Sequence, residues 1–161
     1  MDFLLCCWIF AVAITLHNLE EAVWLPKWSQ SAGRWHNPVG EREFRFAVSV
    51  LTLLAYVGAY LAATDSRESV GAYFMAGYAF TMLMNVFIPH LLATLLMRRY
   101  APGTVTAVLM NLPISMLLLW YGFQEDYIRV STFLWAGPLV VVLIMAVIPL
   151  LFAVGRYASE K

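Results

Sequence analysis

Five long apolar runs, separated by short polar ones, set the rhythm of this 161-residue chain. They cover about Phe3–Trp24, Phe44–Ala63, Val70–Met97, Thr104–Gly122 and Val130–Val154. A bilayer core about 30 Å thick takes roughly 20 apolar residues of helix, so each run predicts one spanning helix. The breaks read PKWSQSAGRWHNPVGERE, TDSRES, RRYAPG and FQEDYIR, all rich in turn formers or charge. Short connectors make successive helices antiparallel neighbours. The pattern therefore predicts an all-α integral membrane protein, a five-helix bundle forming a single transmembrane domain over residues 1–161. Only the first connector, residues 25–43, is long enough for structure of its own. Pro26 and Pro38, with Trp24, Trp28 and Trp35 beside them, predict a loop lying along the membrane interface, where an apolar ring with one donor fits best.

Composition agrees. With 62% hydrophobic and 12% charged residues and a mean hydropathy of +0.75, the chain lies far from soluble domains, which carry about 45–50% apolar and about 25% charged residues. Ten basic and ten acidic side chains leave no net charge, and no basic stripe interleaved with aromatics runs along the chain. These features exclude nucleic-acid binding. Cys6 and Cys7 are adjacent inside an apolar run and read as small apolar side chains, not a disulfide framework. The first run has no basic segment before it and HNLEEAVW after it, where a signal peptide would carry small residues for cleavage. It predicts a retained first helix. Lys27, Arg34, Arg42, Arg45, Arg98, Arg99, Arg156 and Lys161 fall on one side of the bundle, and Arg67 and Arg129 on the other. Cytoplasmic loops carry the excess of Lys and Arg. The expected topology is N-terminus out and C-terminus in, and the expected location a bacterial inner membrane.

Polar groups within the runs carry the candidate chemistry. They are His17, Glu20 and Glu21 in the first span, Asn85 and His90 in the third, and Asn111 in the fourth. Ionisable residues inside a membrane are functional candidates by default, because burying them in hydrocarbon is costly. With a rise of about 1.5 Å per residue, and helix ends near Trp24, Met97 and Thr104, His17, His90 and Asn111 all lie about 10 Å from the cytoplasmic end of their spans. His17 is three residues from Glu20 and four from Glu21, so each glutamate can share a helix face with the imidazole. Asn85 and His90 would point about 140° apart on a regular helix. Pro89 between them supplies a kink that can reorient His90.

Two imidazoles and a carboxylate suit Zn²⁺ or another divalent ion, with a remaining carboxylate as base on a water. The same groups suit a metal-free acid/base pair in a low dielectric, or a buried polar pair that only fixes helix packing.

HNLEE, followed by WLPKW, NVFIPH and YAPGTVTAVLMNLP, resembles the family of small integral membrane proteins named after its HxxEE motif. The resemblance runs over about residues 12–120. It implies a membrane enzyme whose site residues are His17, Glu20, Glu21, Asn85 and His90, without identifying a reaction. A looser similarity of layout links the chain to the emopamil-binding group of sterol isomerases.

Other groups have plainer readings. His36 reads as a loop histidine able to reach the cytoplasmic-side patch, and Glu43 as a helix-2 N-terminal carboxylate. Glu125 and Asp126 read as solvated charges on the far side. The methionines, and tyrosines such as Tyr56, Tyr60, Tyr73 and Tyr78, read as core or lipid-facing packing. The expected function is membrane-embedded, metal-assisted hydrolysis of an apolar or amphipathic substrate drawn from the membrane lipids. His17, His90 and one of Glu20 or Glu21, with Glu21 named first for the metal, would be the ligands. The other glutamate would be the base, and Asn85 an orienting donor. A metal-free lipid or sterol isomerase and a non-catalytic lipid-binding or transport protein are the rivals.

Overall fold

The computed structural model describes residues 1–33 and 36–159, with side chains as far as Tyr157; Arg34, Trp35 and Lys161 lie outside the described residues. Its elements are α1 (Phe3–Ser29), α2 (Glu41–Thr64), α3 (Val70–Asn85), α4 (Leu92–Met97), the single turn α5 (Thr104–Thr106), α6 (Leu112–Gln124) and α7 (Val130–Ser159). Two wide-turned π-helical segments, Val86–Leu91 and Ala107–Asn111, join α3 to α4 and α5 to α6. No strand occurs among the described residues. Five stretches are long and apolar enough to cross a membrane: Phe3–Ser29, Glu41–Thr64, Val70–Met97, Thr104–Gln124 and Val130–Tyr157.

Helix starts follow local chemistry. Asp2 caps α1 by accepting from the Leu5 N–H at 2.8 Å, and Ser69 caps α3 through Ala72. Glu43 folds back to accept the Gly40 N–H at 3.0 Å, so its carboxylate serves the N-terminus of α2.

Helices meet through small residues, the packing that suits helices long and apolar enough for lipid. Ala55, Ala59 and Ala62 of α2 and Ala72, Ala76 and Ala79 of α3 are all buried in the core. A Cβ on Gly77 would lie 2.5 Å from Val140, which shows how closely α7 approaches α3. Bulky residues such as Leu95, Leu109 and Leu134 point outward, as side chains facing hydrocarbon do.

The first connector is shorter than the sequence suggests. α1 runs five residues past Trp24, through Pro26 to Ser29, and α2 begins at Glu41. Proline removes one helical N–H and leaves the carbonyl four residues back without its donor. Here the Arg45 Nε supplies that donor, reaching the Ala22 carbonyl at 3.3 Å, and the Ser29 hydroxyl donates to the Pro26 carbonyl at 2.7 Å. Trp28 is consequently buried against Ala93, Ala101 and Met97, while Trp24 stays exposed. The extension also moves His17 nearer the middle of its helix, about 18 Å rather than about 10 Å from the end.

The third span breaks at Ile88, whose φ of −132° and ψ of 112° are extended. A residue before proline is pushed out of the helical region by the ring. Beyond the break His90 meets His17 and Ala93 meets Trp28, both of α1, and the chain also packs on the start of the fourth span, whereas α7 packs along α2 and α3.

Candidate functional site

α1 supplies the first wall of the site. His17 is buried, and Glu21, one turn on, brings Oε1 to 3.8 Å from its Nε2. The broken third span supplies the second wall. The break turns His90 inward, so that its Nε2 lies 3.4 Å from the same Glu21 oxygen and its ring meets that of His17 edge to face at 4.9 Å. One ligand atom from each of the three residues lies within 4.8 Å of the other two. Ligands about 2.0–2.1 Å from a tetrahedral ion sit about 3.4 Å apart, so a small inward shift closes this set on a divalent cation. Both Nε2 atoms are buried and have no hydrogen-bond partner among the described residues. Two orphaned imidazole nitrogens turned toward one carboxylate are the donor set that zinc or a similar ion takes.

His17 is held in the tautomer such a role requires. Its Nδ1 lies 2.9 Å from Thr106 Oγ1, and that hydroxyl lies 2.6 Å from Glu20 Oε2. A hydroxyl has one proton, and the carboxylate can only accept. Thr106 therefore donates to Glu20 and accepts from His17 Nδ1–H, which leaves Nε2 with its lone pair facing Glu21. This imidazole, hydroxyl, carboxylate chain resembles the outer partners that orient metal-bound histidines.

The two adjacent glutamates thus face different surroundings. Glu20 accepts from the Gly103 N–H at 2.9 Å, the Thr106 N–H at 3.2 Å, the Thr106 hydroxyl and the Tyr100 phenol. It supplies acceptors to the otherwise orphaned N–H groups that begin the fourth span. It also lines a shallow groove with Tyr100, Val105 and Met110. Glu21 lines the opposite, larger cavity and receives no hydrogen bond from the described residues. Of the expected pair, only Glu21 joins the two imidazoles.

The turn before α5 closes over the cluster. Gly103 has a φ of +89°, and a Cβ there would lie 2.6 Å from His90 Cε1 and 3.0 Å from Glu21 Oε1. Only glycine fits that conformation and that space. Thr94 and Thr104 pair at 2.9 Å, and Thr94 accepts the Ala101 N–H, tying this turn to α4.

A cavity of about 610 Å³ adjoins the cluster, lined on one side by His17, Glu21 and Asn85 and otherwise mainly by apolar residues of α2, α3 and α7. Asn85 is half-buried on its wall. Asn18, the second letter of HNLEE, donates to the Val48 carbonyl at 3.1 Å and to Thr52 at 2.8 Å, fastening α1 to α2 beside the cavity.

Comparison with known proteins supplies the kinship of this arrangement. A family model described as a protein of unknown function with HXXEE motif matches residues 8–118. The chain belongs to this HXXEE family. It is also 40% identical over 150 residues to the uncharacterized protein YrkK of Bacillus subtilis (strain 168), covering 93% of this chain and 95% of that protein. No solved structure matches. The HXXEE match takes in every residue of the cluster together with Thr106 and Gly103.

Other sequence candidates of this HXXEE chain fall outside the cluster. Asn111 is fully buried and lines neither the cluster nor the cavity, and its amide atoms have no partner among the described residues. His36 meets Trp28 edge to face at 5.9 Å, with its Nδ1 against the Asn37 carbonyl. Glu125 accepts the Phe3 N–H at 3.2 Å, at the end of α1 remote from Glu21. Sequence reading missed Tyr100, Gly103 and Thr106, although all three stand in the quoted YAPGTVT. A helix that begins inside apolar surroundings needs acceptors for its first N–H groups, and a nearby unassigned glutamate is the signal that would have found them.

Proposed function

We propose that this protein is a metal-dependent hydrolase of the membrane, acting on an apolar or amphipathic substrate that reaches the site from the lipid. The observation that carries this reading is the convergence of two unpartnered Nε2 atoms on Glu21 at the polar side of an apolar cavity. His17, His90 and Glu21 would hold Zn²⁺ or another divalent ion, which would supply Lewis acidity and an activated water. Glu21 gives Oε1 to the cluster and keeps Oε2 as a proton acceptor, because Glu20 is committed to the fourth span. Asn85 offers an amide donor to a carbonyl oxygen lying in the cavity. The excess of Lys and Arg supports an orientation with the cluster toward the cytoplasmic half.

Metal analysis of detergent-purified protein tests the proposal. One divalent ion per chain is expected in the wild type, with less than a tenth remaining in His17→Ala and His90→Ala. Metal-free wild-type protein from metal-supplemented cells sinks it. In that event the short His90–Glu21 contact would favour the metal-free isomerase, in which these two groups exchange a proton with the substrate. A bound lipid that stays unchanged, with Glu21→Gln fully functional in cells, would instead favour a lipid-binding or transport protein.

A further inference from the structure

The large cavity has a direction and a charge pattern that narrow what it accepts. Its α7 wall runs from Val141 to Phe152, eleven helical rises or about 16 Å. Half of a bilayer core about 30 Å thick is about 15 Å, so the wall matches the depth of one leaflet. The mouth is rimmed by Met84, Phe87 and Met145, all exposed on the outer surface of the span bundle. It lies where the third span turns away from α7 at Ile88. The volume, about 610 Å³, falls within the roughly 300–1,000 Å³ of small-molecule sites.

Among the described residues, no Lys or Arg lines this cavity. Arg45 of α2, which follows the lining residue Phe44, is engaged by Glu41 at 3.2 Å and by the Ala22 carbonyl. Tyr78 donates to Leu51, Thr81 to Gly77 and Asn18 to α2, so their donors are already used. The Asn85 amide and the cluster are left to meet a polar group. A phosphate or sulfate head would be desolvated here with no described Lys or Arg to pair with and a carboxylate beside it, and the single ion proposed for the cluster would be its one counter-charge.

We propose that the cavity binds the acyl chain of an uncharged lipid, a long-chain ester or amide with a neutral head, which enters sideways between the break in the third span and α7 and places its carbonyl beside Asn85 and the His17–Glu21–His90 cluster. This rests on the hydrolase reading only for the fate of the carbonyl; the binding itself does not require it.

The test uses a diazirine-bearing long-chain glycerol ether, neutral and not hydrolysable, cross-linked to purified full-length protein in detergent. Adducts are expected in the peptide covering residues 141–152. 1-Oleoylglycerol should compete at least ten-fold better than 1-oleoyl lysophosphatidate. Ile144→Trp, and independently Ile148→Trp, should reduce labelling at least five-fold while the metal content stays at the wild-type level. Labelling unchanged in both variants, adducts elsewhere, or equal competition by the phosphate-headed lipid overturns the proposal. Bound metal without cavity labelling refutes this inference and leaves the hydrolase standing; cavity labelling without metal upholds it and removes the hydrolase.

Discussion

At the scale of single residues, the distinction that matters is between Glu20 and Glu21. Adjacent positions on a helix diverge by about 100°, so one imidazole can face only one of them squarely. The motif announces that both carboxylates are near His17. Which one joins the cluster depends on Thr106 and Gly103, eighty and more residues away, and spacing along α1 carries no information about them. Thr106 gives the sharper prediction. Thr106→Val removes the acceptor for His17 Nδ1–H, and lost outer partners typically reduce metal affinity about 10–100-fold. Competition with a metal-sensitive dye should show that loss, with Thr106→Ser restoring most of it. Tyr100 gives a second. Partial burial and the bond to Glu20 push its phenol up to about 12, against about 10 for a free tyrosine. The folded state therefore favours the protonated phenol. Its stabilising contribution is complete below about pH 10 and is lost as pH rises toward about 12. Ultraviolet titration of wild type against Tyr100→Phe should show one late-ionising tyrosine missing in the variant, and a midpoint of ordinary value for Tyr100 would refute the contact.

At the scale of elements, prolines decide the shape, and they act differently according to what replaces the missing N–H. Pro89 was legible as a break because it lies between two polar residues that a straight helix would aim apart. Pro26 misled, because nothing local in WLPKW shows that Arg45 of the next helix donates to the freed Ala22 carbonyl. The turn at Gly103 is the element most exposed to test. Its positive φ disfavours any side chain by about 1–3 kcal/mol, and the added Cβ would strike His90. Gly103→Ala should lower the thermal midpoint by several degrees and weaken metal binding at least ten-fold. A variant with wild-type values for both would show that the turn does not rest on the cluster.

At the scale of the whole molecule, the length of the apolar runs was enough to give five helices long and apolar enough to span, because a bilayer's thickness sets the length such a helix needs. The cavity was not legible, since it arises where α7 and the broken third span fail to follow each other, and no single run records a gap between two others. If one ion ties α1 to the third span, its removal should loosen the bundle. A ligand at about 100 times its dissociation constant stabilises the folded state by about 2.7 kcal/mol. At roughly 2–4 °C per kcal/mol for a chain of this size, adding Zn²⁺ to chelator-stripped protein should raise the midpoint by roughly 5–10 °C. His90→Ala should show no such rise, and an equal rise in wild type and variant would place the ion elsewhere.

The sideways entrance proposed at Ile88 would have a kinetic consequence. A substrate drawn through it would never pass through bulk water, so the concentration governing turnover would be its mole fraction among the surrounding lipids. Diluting the substrate with inert lipid at constant total amount should therefore slow the reaction in proportion. Diluting the same vesicles with buffer should leave the rate per protein unchanged, a surface-dilution behaviour that an entrance from the aqueous side would not produce.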